Sequence, residues 1–128
     1  MKPTVLQLGP LLPLVEQGLA SAYNHLQLAK AADPAAFLAA NAASIDALVS
    51  TSRSGVNAAL LDSLPKVRLV AHFGVGYDNV DVEHARRKGV VVTNTPDVLT
   101  DCVADLAIAL LVDVARGVTA GDRYVRAG

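Results

Sequence analysis

Short apolar segments alternate with segments of helical pattern along most of this chain, and this alternation limits the possible folds more than any other feature. Helical stretches with short connections separate the apolar segments. Such an order requires right-handed crossovers between parallel strands, with helices on both faces of the sheet. The sequence therefore predicts an α/β fold with a doubly wound, mostly parallel, five-stranded sheet. The predicted strands are Thr4–Leu8, His25–Ala29, Ala47–Ser50, Arg68–His72 and Val90–Thr93.

Local signals define the ends of the predicted helices. Asp33 is a typical N-cap because Pro34 follows it at the first helical position. Asn57 and Asp81 are N-cap candidates of the same kind, and Gly89 is a left-handed C-terminal stop. The helices predicted in this part are Leu12–Ala22, Pro34–Ala43, Asn57–Leu64 and Asp81–Lys88.

The character of the chain changes after Pro96. Thr100–Ala115 is predicted to be one long helix, and Val118–Arg126 a short one after Gly117. The long helix is apolar over so wide an arc that it needs partners on more than one side. We expect residues 1–98 to form one domain, and residues 99–128 to contact a further domain or a second subunit.

Charge and composition exclude several classes of protein. The net charge is −1, which argues against nucleic acid or an anionic membrane as the main partner. No apolar stretch approaches the roughly 20 residues of a membrane helix. The one cysteine, Cys102, excludes an internal disulfide and indicates a reducing, cytoplasmic location. We expect Cys102 to be buried and inert, because Asp101 and Asp105 oppose thiolate formation.

A glycine-containing loop, Phe73–Asn79, directly follows the fourth predicted strand. In a doubly wound sheet, ligands bind beyond the carboxyl ends of the strands. Gly74 and Gly76 allow consecutive N–H groups to converge on an anion such as a carboxylate. A dinucleotide fingerprint would need a third glycine where Asn79 stands, and an acidic residue after the next strand, so that interpretation fails. A simple tight turn remains the alternative.

A second polar loop, Thr51–Gly55, should open on the same edge of the sheet. Arg53 could hold a carboxylate, and the hydroxyl of Ser52 could hydrogen-bond a substrate oxygen. The alternative is an exposed loop with a solvated arginine.

The three histidines do not form a catalytic or metal-binding group by their spacing. His25 lies in a weak edge strand, and His84 is predicted to be solvated within its helix. His72 ends the fourth strand beside the glycine loop, and we expect a hydrogen-bonded strand-end histidine rather than a proton donor.

Residues Val67–Asp105 resemble the D-2-hydroxyacid dehydrogenase family, and most closely its glyoxylate/hydroxypyruvate reductase branch. Several motifs match at their proper spacing, as does the tail from Asp122 to Gly128. The matching motifs are Gly74–Asp81, Gly89–Val92, Asn94–Asp97, Thr100-Asp101 and Val103–Asp105.

The resemblance implies a flavodoxin-like substrate domain of a two-domain enzyme that reduces small 2-oxo acids to D-2-hydroxy acids with NADP or NAD. It implies that the amides of Val75 and Gly76, with Gly74, hold the substrate carboxylate, and that Ser52 and Arg53 form the other substrate loop. Val103 would approach the nicotinamide, and helix 100–116 would contribute to a homodimer.

The family's cofactor loop and its catalytic Arg, Glu and His find no counterpart in these residues, so no catalytic residue is assigned. We expect the isolated chain to be inactive. The alternative is a non-catalytic module of flavodoxin-like fold that binds small carboxylates. A phospho-acceptor receiver domain is rejected, because the first and third strands end in Leu8-Gly9 and Ser50-Thr51, without acidic residues.

Overall fold

The computed structural model describes residues Lys2–Gly128, and its five strands form one parallel sheet. The strand order is β2-β1-β3-β4-β5, and every neighbouring pair is parallel. This is the order of flavodoxin-like, doubly wound folds. The predicted fold class is confirmed. The strands are β1 (Thr4–Gln7), β2 (Asn24–Gln27), β3 (Ala47–Thr51), β4 (Leu69–Phe73) and β5 (Val91–Thr93).

The helices follow the capping signals of the sequence. The side chains of Asp33, Asn57 and Asp81 each accept hydrogen bonds from backbone N–H groups in the first turn of the helix that follows. Gly89 ends its helix with φ +70°. The helices are α1 (Pro13–Ala22), α2 (Pro34–Asn41), α3 (Ala58–Ser63), α4 (Val82–Arg87), α5 (Thr100–Arg116) and α6 (Val118–Ala127), with a 3₁₀ turn at Leu28–Lys30.

The centre of the sheet is the centre of the core. Leu6, Leu48 and Val70 are in register on three adjacent strands, and each is fully buried. Val5 and Val49, which alternate with them, are also buried. Because successive side chains of a strand point to opposite faces, both faces of the central strands are covered.

The end of β2 and the side chain of His84 differ from the sequence-based predictions. The second strand ends at Gln27 rather than Ala29, because a 3₁₀ turn follows in which Ala31 N–H donates to Leu28 O at 3.0 Å. His84 is not solvated. Its side chain is only 19% exposed, and its Nε2 lies 2.8 Å from Asp62 Oδ1.

The chain divides into two compact units, one ending at Pro96 and the other spanning Asp97–Gly128. Within residues 2–128, helix α5 has no buried side chain, and the prediction that Cys102 is buried is wrong, because its side chain is exposed. No helix among residues 2–128 is long and apolar enough to cross a lipid bilayer. The division into domains 1–98 and 99–128, the homodimer and the cytoplasmic location stay predictions.

Asp46 provides a pH-dependent contribution to stability. Its Oδ2 accepts a hydrogen bond from Thr4 N–H at 2.8 Å, and its Oδ1 lies 3.2 Å from Lys66 Nζ. The Thr4 N–H, followed by Lys66, lowers the pKa of Asp46 below its usual 3.8. A lowered pKa in the folded state stabilises the fold above pH 3.8, and this contribution is lost as the pH falls through the lowered pKa.

We therefore expect Asp46→Asn to be destabilised near neutral pH, by less than about 1 kcal/mol because the Asp46 side chain is 33% exposed. Urea denaturation of both proteins would measure this difference near neutral pH and well below pH 3.8. The difference should disappear in acid, where Asp46 is uncharged. A difference that stays constant with pH would contradict the assignment.

Candidate functional site

The candidate site lies at the carboxyl edge of the sheet, where the strand order reverses. The chain leaves β1 towards β2 on one side, while β3 lies on the other side of β1. This divergence produces the crevice in which ligands of such folds bind. The loop after β1 closely approaches the loop after β3, since a Cβ built on Gly9 would lie 2.9 Å from Ser54 Oγ.

Two loops line this edge: a glycine loop, Gly74–Asn79, after β4, and a serine loop, Ser52–Gly55, after β3. In the glycine loop, the carbonyl groups of Gly74, Val75 and Gly76 are all held by hydrogen bonds from the protein. The three bonds run from Thr95 N to Gly74 O at 3.0 Å, from Asn94 Nδ2 to Val75 O at 2.8 Å, and from His72 Nε2 to Gly76 O at 2.9 Å.

Anchoring these carbonyls determines where the neighbouring amides point. The chain has no cis peptide bonds among the described residues, and in a trans peptide the N–H points away from the C=O of the same unit. The N–H groups of Val75, Gly76 and Tyr77 therefore point away from the protein groups that hold the loop. Within residues 2–128, no protein acceptor takes a hydrogen bond from any of the three.

This arrangement meets one requirement of anion binding, which is a set of amides free to donate to a ligand. Three consecutive N–H groups with fixed directions and no protein acceptor can donate to the oxygens of one carboxylate. Val75 and Gly76 are exposed, so a small ligand can reach their amides. The fixed carbonyls also mean that the loop does not need to reorganise when a ligand binds.

Asn79 joins the two loops. Its Nδ2 donates to Thr51 O at 3.1 Å and to Ser52 O at 3.2 Å. Its backbone carbonyl accepts from Val56 N at 2.9 Å. A Cβ on Gly55 would lie 2.8 Å from Asn79 O, so the loops pack without space for a side chain there. The structure thus places the serine loop beside the glycine loop, as the sequence predicted.

Charged side chains of opposite sign lie in these loops. Arg53 is exposed, and among residues 2–128 its guanidinium makes no hydrogen bond or ion pair. It is therefore available to an anion. Asp78 opposes an anion, since one of its carboxylate oxygens lies 3.4 Å from the position of a Cβ on Gly76. An anion is attracted by the loop amides and by Arg53, and it is repelled by the carboxylate of Asp78. The difference between these two effects will determine the affinity for the anion.

The loops do not fit a dinucleotide. Asn79 stands where the fingerprint needs its third glycine. The helix that follows is only six residues long, and its N-terminus is occupied by the carboxylate of Asp81, which accepts from His84 N at 2.9 Å. A pyrophosphate would meet that negative charge instead of a free helix end. We assign no cofactor contact to this loop.

The predicted residues fall into two groups in the structure. Gly74, Val75 and Gly76 lie in one loop, and Ser52 and Arg53 in the adjacent loop. The remaining residue, Val103, lies in the first turn of α5 in the second compact unit, 59% exposed. No group of three His, Cys, Asp or Glu side chains among residues 2–128 is arranged to hold a metal ion.

Sequence reasoning did not identify the residues that hold the loops. In the sequence, Asn94 and Thr95 stand out only as parts of a family motif, and Asn79 only as part of another motif and as the position where the fingerprint needs a glycine. Their importance depends on contacts across 19, 21 and 28 residues, respectively, for which a single sequence has no periodic signal. His72 was predicted to be a hydrogen-bonded strand-end histidine, and the structure shows this.

Comparison with known proteins identifies the family of this fold and site. Residues 10–124 match the family model of the D-isomer specific 2-hydroxyacid dehydrogenase catalytic domain. The chain therefore belongs to the D-isomer specific 2-hydroxyacid dehydrogenase family, and the resemblance drawn from the sequence is confirmed.

Individual relatives agree with this assignment. A glyoxylate reductase of Pyrococcus horikoshii is 52% identical over 84 residues, which cover 66% of this chain and 25% of that protein. A 2-hydroxyacid dehydrogenase structure from Ketogulonicigenium vulgare has a TM-score of 0.86 and 41% identity, covering 99% of this chain and 40% of that one.

A third relative was solved with ligands. The NADPH-dependent glyoxylate/hydroxypyruvate reductase of Sinorhizobium meliloti, in complex with NADP and malonate, has a TM-score of 0.79 and 37% identity. The match covers 100% of this chain and 39% of that one. This chain therefore spans between a quarter and two fifths of the length of these three relatives.

Proposed function

We propose that this chain is the substrate-binding portion of an NAD(P)H-dependent reductase that converts small 2-oxo acids, such as glyoxylate and hydroxypyruvate, to D-2-hydroxy acids. The observation that carries the proposal is the set of three adjacent N–H groups, of Val75, Gly76 and Tyr77, with no protein acceptor and anchored carbonyls behind them. Relatives named as glyoxylate reductases, and one solved with NADP and the dicarboxylate malonate, support the substrate class.

The residues of this chain would bind and orient the substrate. The amides of the glycine loop, with Gly74 and Gly76 allowing the close approach, hold the carboxylate. Arg53 adds a positive charge beside it, and the Ser52 hydroxyl can donate to a substrate oxygen. Fixing the carboxylate holds the adjacent 2-oxo carbon in one position, and such positioning lowers the barrier of a two-reactant step.

Reduction needs a hydride, which the nicotinamide supplies, and a proton donor near the carbonyl oxygen. We assign neither to a residue of this chain. His72, the histidine beside the glycine loop, already has both ring nitrogens in hydrogen bonds. We therefore propose that NADP or NAD is bound by other parts of the whole protein, with Val103 contributing a nicotinamide contact, and that the isolated chain is inactive.

Binding of glyoxylate to the chain tests the proposal directly. Heteronuclear NMR titration should show saturable shifts of the Val75, Gly76 and Tyr77 amides. Glycolaldehyde, which lacks the carboxylate, is the matched control and should leave these amides unchanged. Equal responses to both compounds, or no response to glyoxylate, would refute the carboxylate site. Under the same conditions, NADPH with glyoxylate should show no turnover.

The contribution of Arg53 can be measured in the same titration. We expect Arg53→Ala to weaken glyoxylate binding by about tenfold, because a charge-assisted bond contributes roughly 1.5 kcal/mol. Arg87→Ala, which removes the same charge at the far end of α4, should bind as the unsubstituted chain does. Equal effects of the two substitutions would show a general charge effect rather than a contact.

The alternative function is a non-catalytic module for small carboxylates, and one observation favours it: the two loops are held by hydrogen bonds from His72, Asn79, Asn94 and Thr95, all within the first compact unit. The two functions differ in what the whole protein does. If this chain replaces the matching portion of the Sinorhizobium meliloti reductase, the hybrid should reduce glyoxylate only if the chain is a reductase portion. A folded hybrid that binds glyoxylate without oxidising NADPH would favour the module.

A further inference from the structure

His72 is a buried polar residue with both ring nitrogens engaged. It lies in β4, is 2% exposed, and contacts one group on each side. Its Nδ1 lies 2.9 Å from the hydroxyl of Ser50, which is fully buried, and its Nε2 lies 2.9 Å from Gly76 O. A carbonyl oxygen can only accept, so Nε2 carries the hydrogen. In the neutral ring, Nδ1 then accepts from Ser50.

The ring also packs against the first glycine of the loop. A Cβ on Gly74 would lie 2.9 Å from His72 Nε2 and 3.2 Å from its Cδ2. A side chain at position 74 would therefore push the ring away from Gly76. The hydrogen bond from His72 to Gly76 O therefore depends on the absence of a side chain at position 74.

The hydrogen bond from His72 orients one peptide unit. Because His72 holds Gly76 O, the N–H of Tyr77 in the same trans peptide points to the opposite side. The Ser50 contact links the ring to β3, the strand that leads into the serine loop. The His72 side chain thus contacts the glycine loop directly and the strand that leads into the serine loop through Ser50.

We propose that His72 is a positioning residue for substrate binding, which sets the direction of the Tyr77 N–H and the spacing of the two loops. This inference rests on the proposed carboxylate site, and it assigns His72 no proton transfer to substrate. It accounts for the direction of the third donor of the site, the amide of Tyr77, which would bind the carboxylate together with those of Val75 and Gly76.

The ring tautomer is the first test, and it needs no ligand. Long-range proton–nitrogen NMR of the nitrogen-labelled chain distinguishes a hydrogen on Nε2 from one on Nδ1. The arrangement requires a hydrogen on Nε2, because the carbonyl oxygen of Gly76 can only accept. A ring carrying its hydrogen on Nδ1 alone would break the bond to Gly76 O and overturn the proposal.

Two substitutions, His72→Gln and His72→Asn, separate the two contacts of the ring. The longer glutamine side chain can place its amide nitrogen near the Nε2 position and keep a donor to Gly76, whereas the asparagine side chain reaches only the Nδ1 position, near Ser50. We expect His72→Gln to bind glyoxylate within about threefold of the unsubstituted chain, and His72→Asn to bind about tenfold more weakly, as the loss of one oriented donor predicts. The Tyr77 amide shift should move only in His72→Asn.

Thermal melting of both variants controls for general destabilisation. Similar melting temperatures with unequal affinities support positioning, and equal affinities overturn it. If the unsubstituted chain does not bind glyoxylate, the proposed function fails, while the tautomer and the Tyr77 amide shift still decide whether His72 orients the loop.

Discussion

Leu48→Ala is expected to lower the free energy of unfolding by about 3 kcal/mol, the largest effect of any substitution considered for this protein. Leu48 is fully buried in β3, and in register it lies between Leu6 and Val70, which are fully buried too. Truncation loses the transfer free energy of the side chain and leaves a cavity that the flanking strands cannot fill, because their own positions are fixed by the sheet ladder.

Urea denaturation followed by circular dichroism would measure this loss. Leu14→Ala is the matched control, because Leu14 lies on α1 and is 79% exposed. Its substitution should change stability by less than about 0.5 kcal/mol. If the two substitutions were equally destabilising, the assignment of Leu48 to the core and of Leu14 to the surface would be wrong.

Gly55→Ala is expected to destabilise the protein by about 1–3 kcal/mol and to weaken glyoxylate binding at the same time. The new Cβ would lie 2.8 Å from the backbone oxygen of Asn79. Since this is a backbone atom, the chain itself must move, and with it the Asn79 side chain that holds Thr51 O and Ser52 O. The two loops would separate, and the glycine loop would lose the hydrogen bonds by which Asn79 joins it to the serine loop.

The control for this substitution is Gly18→Ala. Gly18 lies within α1, and a Cβ there meets no atom within 4 Å. The same chemical change should stabilise the helix, by up to about 1 kcal/mol. The pair therefore predicts opposite signs in the unfolding free energy. A Gly55→Ala protein as stable as the unsubstituted one, with unchanged glyoxylate affinity, would show that the contact between the loops does not matter.

The secondary structure was predictable where a local rule applied. Asp33, Asn57 and Asp81 cap their helices as the sequence indicated, because an N-cap depends only on the three residues that follow it. The left-handed stop at Gly89 is local in the same sense. The predicted end of β2 was wrong by two residues, since the 3₁₀ turn that ends it competes with strand pairing in a way that no pattern in His25–Ala29 records.

The candidate site was predictable only in part. Gly74 and Gly76 marked the loop, because alternate glycines after a strand allow backbone conformations that few other residues adopt. The burial of single polar residues was not predictable. His84 pairs with Asp62 across 22 residues, and Cys102 is exposed, since each outcome depends on which element packs over that position.

The sequence by itself determined the α/β alternation, most of the helix ends, the glycine loop and the likeness to its family, since all of these depend on residue order over short distances. Only the tertiary structure decided the strand order β2-β1-β3-β4-β5 and the direction of the loop amides. Those amides point outward because Asn94 and Thr95, beyond β5, hold carbonyls of a loop that follows β4. Such contacts exist only after parallel pairing has brought β4 and β5 into register.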